Sequence, residues 1–215
     1  MPLGEILDNP PLETVVWISD AAGAAMERNG EAWVNKTVEG DRGVASLRYK
    51  GKRVRTVNVH RWPKTLLTGQ KSRNGKYFGS KSCTLEAVGL LMAAVSDPMA
   101  MAGKHVVLEV DNLGVVYGWE KKHLKEDPET SLLLRCLHVL EAKLACKIYV
   151  KHVKRCSTEM ATLADKLSRA STTDDWCLKK IKHASRLKLM GGLKAWLENP
   201  VIDWTLPEKL CKEIE

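Results

Sequence analysis

No stretch of this 215-residue chain approaches the roughly 18 consecutive apolar residues that a membrane-spanning helix requires. The segment from Met1 to Glu13 is acidic and proline-rich. It lacks the basic and apolar regions of a signal peptide and the arginine-rich pattern of a transit peptide. An intracellular protein, in cytoplasm or nucleus, is therefore expected, with no membrane partner. No internal repeat or low-complexity tract is present. The six cysteines contain no Cys-x-x-Cys pair, and the spacing of Cys146, His152 and Cys156 fits none of the usual zinc patterns. In a reducing compartment they read as free core thiols. Between Arg42 and Lys81 there is no acid at all, against twelve lysines and arginines.

What is present is the composition of a globular protein, 44% hydrophobic and 28% charged. The net charge of +8 is unevenly distributed. Residues 42–81 carry +12 and residues 176–197 carry +6, leaving −10 on the rest of the chain. Within the first basic stretch lie Tyr49, Trp62, Tyr77 and Phe78, whose rings suit stacking on bases or sugars. Arg48, Lys50, Lys52, Arg53, Arg55, Arg61 and Trp62 are thus candidate nucleic-acid contacts; a solvated basic hairpin is the plainer alternative. The second stretch suits either phosphates or docking onto a neighbouring domain.

Three apolar runs read as strands: Val15 to Ile18, Val106 to Val110, and Lys147 to Val150. Polar segments around 32–38, 44–49 and 53–60 alternate in character and predict an antiparallel meander. Helices are predicted over Thr84 to Val95 with Thr84 as N-cap, from Asp127-Pro128-Glu129 to about Ala145, over Glu159 to Ser168, and from Trp176 to Trp196. The order predicts an α/β fold with a mixed sheet, divided as a lead over 1–13, a domain over 14–176 and a helical extension over 177–215.

Asp20 closes the first apolar strand and Asp111 the second, where open α/β sheets gather ligands. Glu86 opens a helix and Asp165 lies on a later one. Each has a local explanation: turn initiation for the two aspartates, the helix dipole for Glu86, and an i,i+4 pair with Arg169 for Asp165. Together they can converge at one sheet edge. Clustered carboxylates repel unless cations neutralise them, and hard oxygen donors suit two Mg²⁺ or Mn²⁺ ions. Two such ions catalyse phosphodiester hydrolysis.

Glu86 in Cys-Thr-Leu-Glu-Ala-Val, Asp111 in Val-Asp-Asn-Leu-Gly-Val-Val and Asp165 in Leu-Ala-Asp-Lys-Leu-Ser-Arg resemble the ribonuclease H domain of retroelement reverse transcriptases. The nearest groups are the tyrosine-recombinase (DIRS-type) or Ty3-type elements, with a weaker match to the former at Asp203-Trp204-Thr205-Leu206-Pro207. The resemblance spans about residues 14–176. It implies a ribonuclease H-like mixed five-stranded sheet flanked by helices, and cleavage of the RNA strand of an RNA–DNA hybrid. It also implies Asp20, Glu86, Asp111 and Asp165 as ligands of two metal ions, His152 as an aid to water attack or product release, and a polymerase domain of the same parent protein as a partner. Asn112, directly after Asp111, is a further candidate nucleic-acid contact.

The sequence departs from the pattern around the histidine. Lys154-Arg155 stands in place of the customary Pro-Gly, and Ala161 in place of an asparagine. A binding module of the same fold that does not cut is the competing reading. An integrase-like order, with the helix acid last and as Glu, does not fit, and Ala21-Ala22 after Asp20 does not fit a proofreading exonuclease. There is no Tyr-x-Asp-Asp polymerase motif.

Overall fold

The computed structural model describes residues 13–23, 26–29, 32–35, 41–63, 70–71, 77–78, 82–122, 127–169, 174–189, 191–200 and 202–214. Its centre is β1 (Thr14–Ala21), which alternates Val15 and Trp17 into one core and Ile18 into a second. A strand buried on both faces explains why its sequence is nearly continuous in apolar residues. On one side β1 pairs antiparallel with β4 (Gly43–Lys50), which turns at Gly51 into β5 (Arg53–Arg61). Gly51 has φ +60°, a left-handed conformation that glycine adopts without strain. On the other side β1 pairs parallel with β8 (His105–Val110), and β8 pairs parallel with β9 (Lys147–His152).

The sheet has six strands, not five: β10 (Ser185–Arg186) adds a short parallel edge to β5. Two further hairpins, β2 (Met26–Asn29) with β3 (Ala32–Asn35) and β6 (Gln70–Lys71) with β7 (Tyr77–Phe78), pair only within themselves. The predicted meander therefore contributes two strands to the main sheet, while the segment near residue 32 pairs elsewhere.

Helices cover both faces. On one lie α1 (Ser82–Ser96), the short α2 (Pro98–Met101), α3 (Leu113–Lys121) and α4 (Pro128–Lys143). On the other lie α5 (Glu159–Arg169) and α6 (Asp175–Ile181). Two C-terminal helices, α7 (Gly191–Glu198) and α8 (Leu206–Glu213), send Leu193, Trp196, Leu197, Leu206 and Leu210 into the first core. Among the described residues no helix is long and apolar enough to cross a membrane.

Several boundaries differ from the sequence reading for identifiable reasons. Thr84 is inside α1, where its hydroxyl pairs with that of Thr130 at 3.0 Å, so it does not cap the helix. Asp127 does cap α4, accepting from the Thr130 backbone N–H at 3.1 Å. Helix α3 was not anticipated, because its two glycines and β-branched residues mask a helix that Asn112 caps by accepting from the Val115 N–H. The stretch from Trp176 to Trp196 is not one helix: Leu187 N–H bonds to Val57 O, diverting the chain into the sheet edge between α6 and α7. No disulfide joins the six cysteines, and Cys156 is exposed rather than a core thiol.

Candidate metal centre

The parallel register of β1 and β8 sets Ile18 opposite Glu109. Continued two residues, it brings Asp20 and Asp111 side by side at the C-terminal ends of adjacent strands, about 4.8 Å apart across the sheet. Glu86 reaches them from α1. That helix lies unusually close to the sheet at Gly89, one turn on, where an added Cβ would stand 3.0 Å from Ser19 and Val44. The Ser46 hydroxyl donates to the Gly89 carbonyl at 2.8 Å and fixes the approach.

Asp20, Glu86 and Asp111 each present a carboxylate oxygen within 4.8 Å of the other two. Asp20 is 4% and Glu86 1% exposed, so the cost of ionising them here is large. Burial, followed by the charges of Asp20 and Asp111, holds the Glu86 carboxyl well above its usual range, against the pull of the Ala21 backbone N–H. Burial likewise raises Asp20, with Asp165 and Asp111 adding to the rise and Ser168 and Arg169 opposing it. Glu86 Oε2 is enclosed without a hydrogen-bond partner. Two buried carboxylates and the part-buried Asp111, with one oxygen of Glu86 unmatched, form a donor set that can hold a metal ion.

Asp165 stands across from this triad rather than in it. It lies on α5, where Arg169 Nε donates to its Oδ1 at 2.7 Å, the i,i+4 pair foreseen in the sequence. Between Asp165 and the triad sits Arg155. Its Nε donates to Asp111 Oδ2 at 2.8 Å and lies 3.4 Å from Asp165 Oδ1 and 4.0 Å from Asp20 Oδ1. Burial works against the Arg155 charge, but Asp111, Asp20 and Asp165 outweigh it and hold the guanidinium protonated. With Asp20 and Asp111, Arg155 lines a small hollow floored by Ile18, Val110 and Ala164.

Three contributors escaped sequence reasoning. Ser168, fully buried, donates its hydroxyl to Asp20 Oδ2 at 2.5 Å and so locks α5 to the end of β1. Arg61 Nη1 donates to the carbonyls of Leu167 and Ser168 at 2.9 and 3.1 Å, satisfying the C-terminal end of α5. Arg155 was visible only as a basic residue where the resembled family carries another turn. His152, by contrast, is exposed at the end of β9 opposite Val110, and no hydrogen bond or ion pair joins it to the acids.

The expected nucleic-acid contacts divide. Trp62 is 2% exposed and its indole N–H donates to Ala22 O at 2.9 Å, so its ring is enclosed in protein and cannot stack on a base. Arg61 is committed to α5. Arg48 bonds Thr56 Oγ1 and pairs with Asp97 at 3.2 Å. Asn112 caps α3 and donates to Ser82 Oγ at 3.0 Å, tying α3 to α1. Lys50, Lys52, Arg53 and Arg55 are exposed around the β4–β5 turn. The side chains of Tyr77 and Phe78 lie outside the described residues. Tyr49 is half-buried, donating to Glu109 Oε2 at 2.7 Å.

The fold and site define an α/β protein with a mixed six-stranded sheet whose central strand ends carry a buried acidic triad. No protein-family model matches the chain. No curated protein matches it at a significant level.

Proposed function

We propose that this chain is a divalent-cation-dependent phosphodiesterase of the ribonuclease H type, cutting the RNA strand of RNA–DNA hybrids. The observation that carries this reading is the triad of Asp20, Glu86 and Asp111, with Glu86 Oε2 buried and unmatched at the C-terminal edge of β1 and β8. All its donors are carboxylate oxygens, which favours Mg²⁺ or Mn²⁺ over softer metals. Such ions, when bound, lower the pKa of water and stabilise an alkoxide leaving group. Support also comes from the order of the acids along the chain, which matches the resembled domain, and from the sheet order, with the antiparallel pair β4 and β5 and the short edge strand β10 on one side of β1 and the parallel β8 and β9 on the other.

The chain's own residues have separate tasks in this reading. Ser168 holds the Asp20 carboxylate in place, and Ala21 N–H does so for Glu86. Arg155 and Arg169 supply positive charge on the Asp165 side, where a phosphate would otherwise meet repulsion. A polymerase domain of a parent protein is the partner that the resemblance suggests.

A hybrid-binding or protein-binding module that does not cut is the second reading. It is favoured by one observation, the Arg155 guanidinium pairing with the carboxylates that a nuclease would use. The two separate on a labelled RNA–DNA hybrid in Mg²⁺ or Mn²⁺. The nuclease reading expects RNA-strand cleavage that drops at least ~100-fold in Asp111→Asn, in line with loss of a group that stabilises charge in the transition state. Wild-type cleavage no faster than that of the variant, with hybrid still bound, leaves the binding module.

A further inference from the structure

Four carboxylates meet at this sheet edge, and two guanidinium groups already sit among them. Arg169 is paired with Asp165 alone. Arg155 bridges, its Nε within reach of both Asp111 and Asp165. With all four ionised, as a bound ion requires, two cations leave two negative charges, the amount one divalent ion neutralises. The unmet demand is also localised. Glu86 Oε2, the enclosed oxygen without a partner, belongs to the triad, whereas both oxyanions facing Arg155 already have hydrogen-bond or ion-pair partners.

From this we infer that Arg155 gates the number of divalent cations the site takes: one on Asp20, Glu86 and Asp111 while the guanidinium is in place, and a second between Asp111 and Asp165 only once it withdraws. The inference rests on the triad being a metal centre, not on the cleavage reaction. Paired catalytic ions stand about 3.5–4 Å apart, so a second ion beside the triad, shared by Asp111 and Asp165, would fall where Arg155 Nε now lies. A hard divalent ion contacts its carboxylate oxygens at about 2.0–2.6 Å. Nε is 2.8 Å from Asp111 and 3.4 Å from Asp165, so both cations cannot occupy the gap.

Withdrawal is cheap in structural terms. Arg155 belongs to the turn after β9, closed by Ser157 N–H donating to Lys154 O at 3.0 Å, and its side chain is 50% exposed. Swinging out breaks one hydrogen bond, to Asp111, and the longer ion pairs with Asp165 and Asp20, but moves no core residue. A phosphate group offers the guanidinium an alternative bidentate partner, so substrate arrival and entry of the second ion become linked. Arg155 acts here as a positioning residue for the ions.

Mn²⁺ binding to the full chain, followed by electron paramagnetic resonance, tests this without any cleavage. Wild type is expected to take one ion, with a second at least tenfold weaker. Arg155→Gln, and Arg155→Ser as a second neutral variant, are expected to strengthen the second site at least tenfold, while Arg155→Lys keeps the wild-type count. Arg169→Gln removes the same charge without vacating the gap and is expected to leave the second site weak. Two equal sites in wild type, unchanged binding in both neutral variants, or an equal gain in Arg169→Gln each overturn the gate. Mn²⁺ bound by none of the proteins overturns the gate and the metal centre together. The expected counts without hybrid cleavage leave the gate standing and remove only the nuclease reading.

Discussion

Glu86 shows how one buried side chain can work against its own fold. Placing Glu86 at 1% exposure next to Asp20 and Asp111 disfavours its ionised form and so costs the cation-free protein stability at neutral pH. Glu86→Gln removes that charge and is expected to raise the thermal midpoint in chelator, and, if the proposed centre takes Mg²⁺ or Mn²⁺, to abolish the upward shift those ions would give the wild type. Scanning calorimetry with and without cation reads both effects. His138 carries a separate pH signature. Its ring stacks on Trp119 at 3.8 Å and 12°, and burial pulls its pKa below the usual 6.5, outweighing Glu141. The unfolded chain then binds more protons than the native one below 6.5, so this contribution is complete above 6.5 and is lost as pH falls towards the lowered folded value. The stability difference between wild type and His138→Asn should narrow as pH drops through that window. At this scale the sequence was informative about the aspartates, because strand ends are legible from apolar runs. Which arginine enters the site was not, since that depends on the turn after β9, where Cys156 sits at φ +55°.

At the level of elements, β4 and β5 do two jobs that sequence merged into one. Register places Ala45 beside Asp20 but Tyr49 beside Val16. The paired Lys50 and Arg53 at the turn therefore lie five residues along the strand from Asp20, a separation of about 17 Å. The same hairpin's other end is structural, with Trp62 in the core and Arg61 on α5. Trp62→Ala is expected to cost about 3–5 kcal/mol in denaturant unfolding, whereas Lys52→Gln, Arg53→Gln and Arg55→Gln should each stay within about 0.5 kcal/mol. Hybrid affinity should show the reverse pattern if the turn grips phosphates, each neutralised charge lowering the salt slope by about 1. Charge and aromatic content alone could not make this separation, because burial of Trp62 follows from long-range packing. The same limit hid β10: two exposed residues hydrogen-bonded to a distant strand leave no local pattern.

Considered whole, the molecule closes its first core with chain from far downstream. Leu193, Trp196, Leu197, Leu206 and Leu210 all pack there. Burying even a few such residues is worth about 2–5 kcal/mol each, comparable with the about 5–15 kcal/mol that holds a domain together. Deleting residues 191–215 is therefore expected to abolish a cooperative thermal transition, and retention of the full-length midpoint would show that the rest of the core stands unaided. The mixed α/β architecture was legible from the succession of apolar strands and helical periods. The attachment of the C-terminal helices was not, because amphipathic faces on α7 and α8 do not say which surface they cover.

The parallel pairing of β1 with β8 also governs how the protein comes into being. Residues 14–18 cannot find 105–109 until that later strand has been made, whereas β4 is available much earlier. During synthesis β1 therefore waits with one edge paired and one bare, at a stage when nascent chains are most prone to mispair. The acids arrive in the order 20, 86, 111, 165, so cation affinity cannot exist in any early intermediate. Uptake of a divalent ion at the proposed triad would mark the pairing of β1 with β8, and its rate would be a clock for that one long-range step.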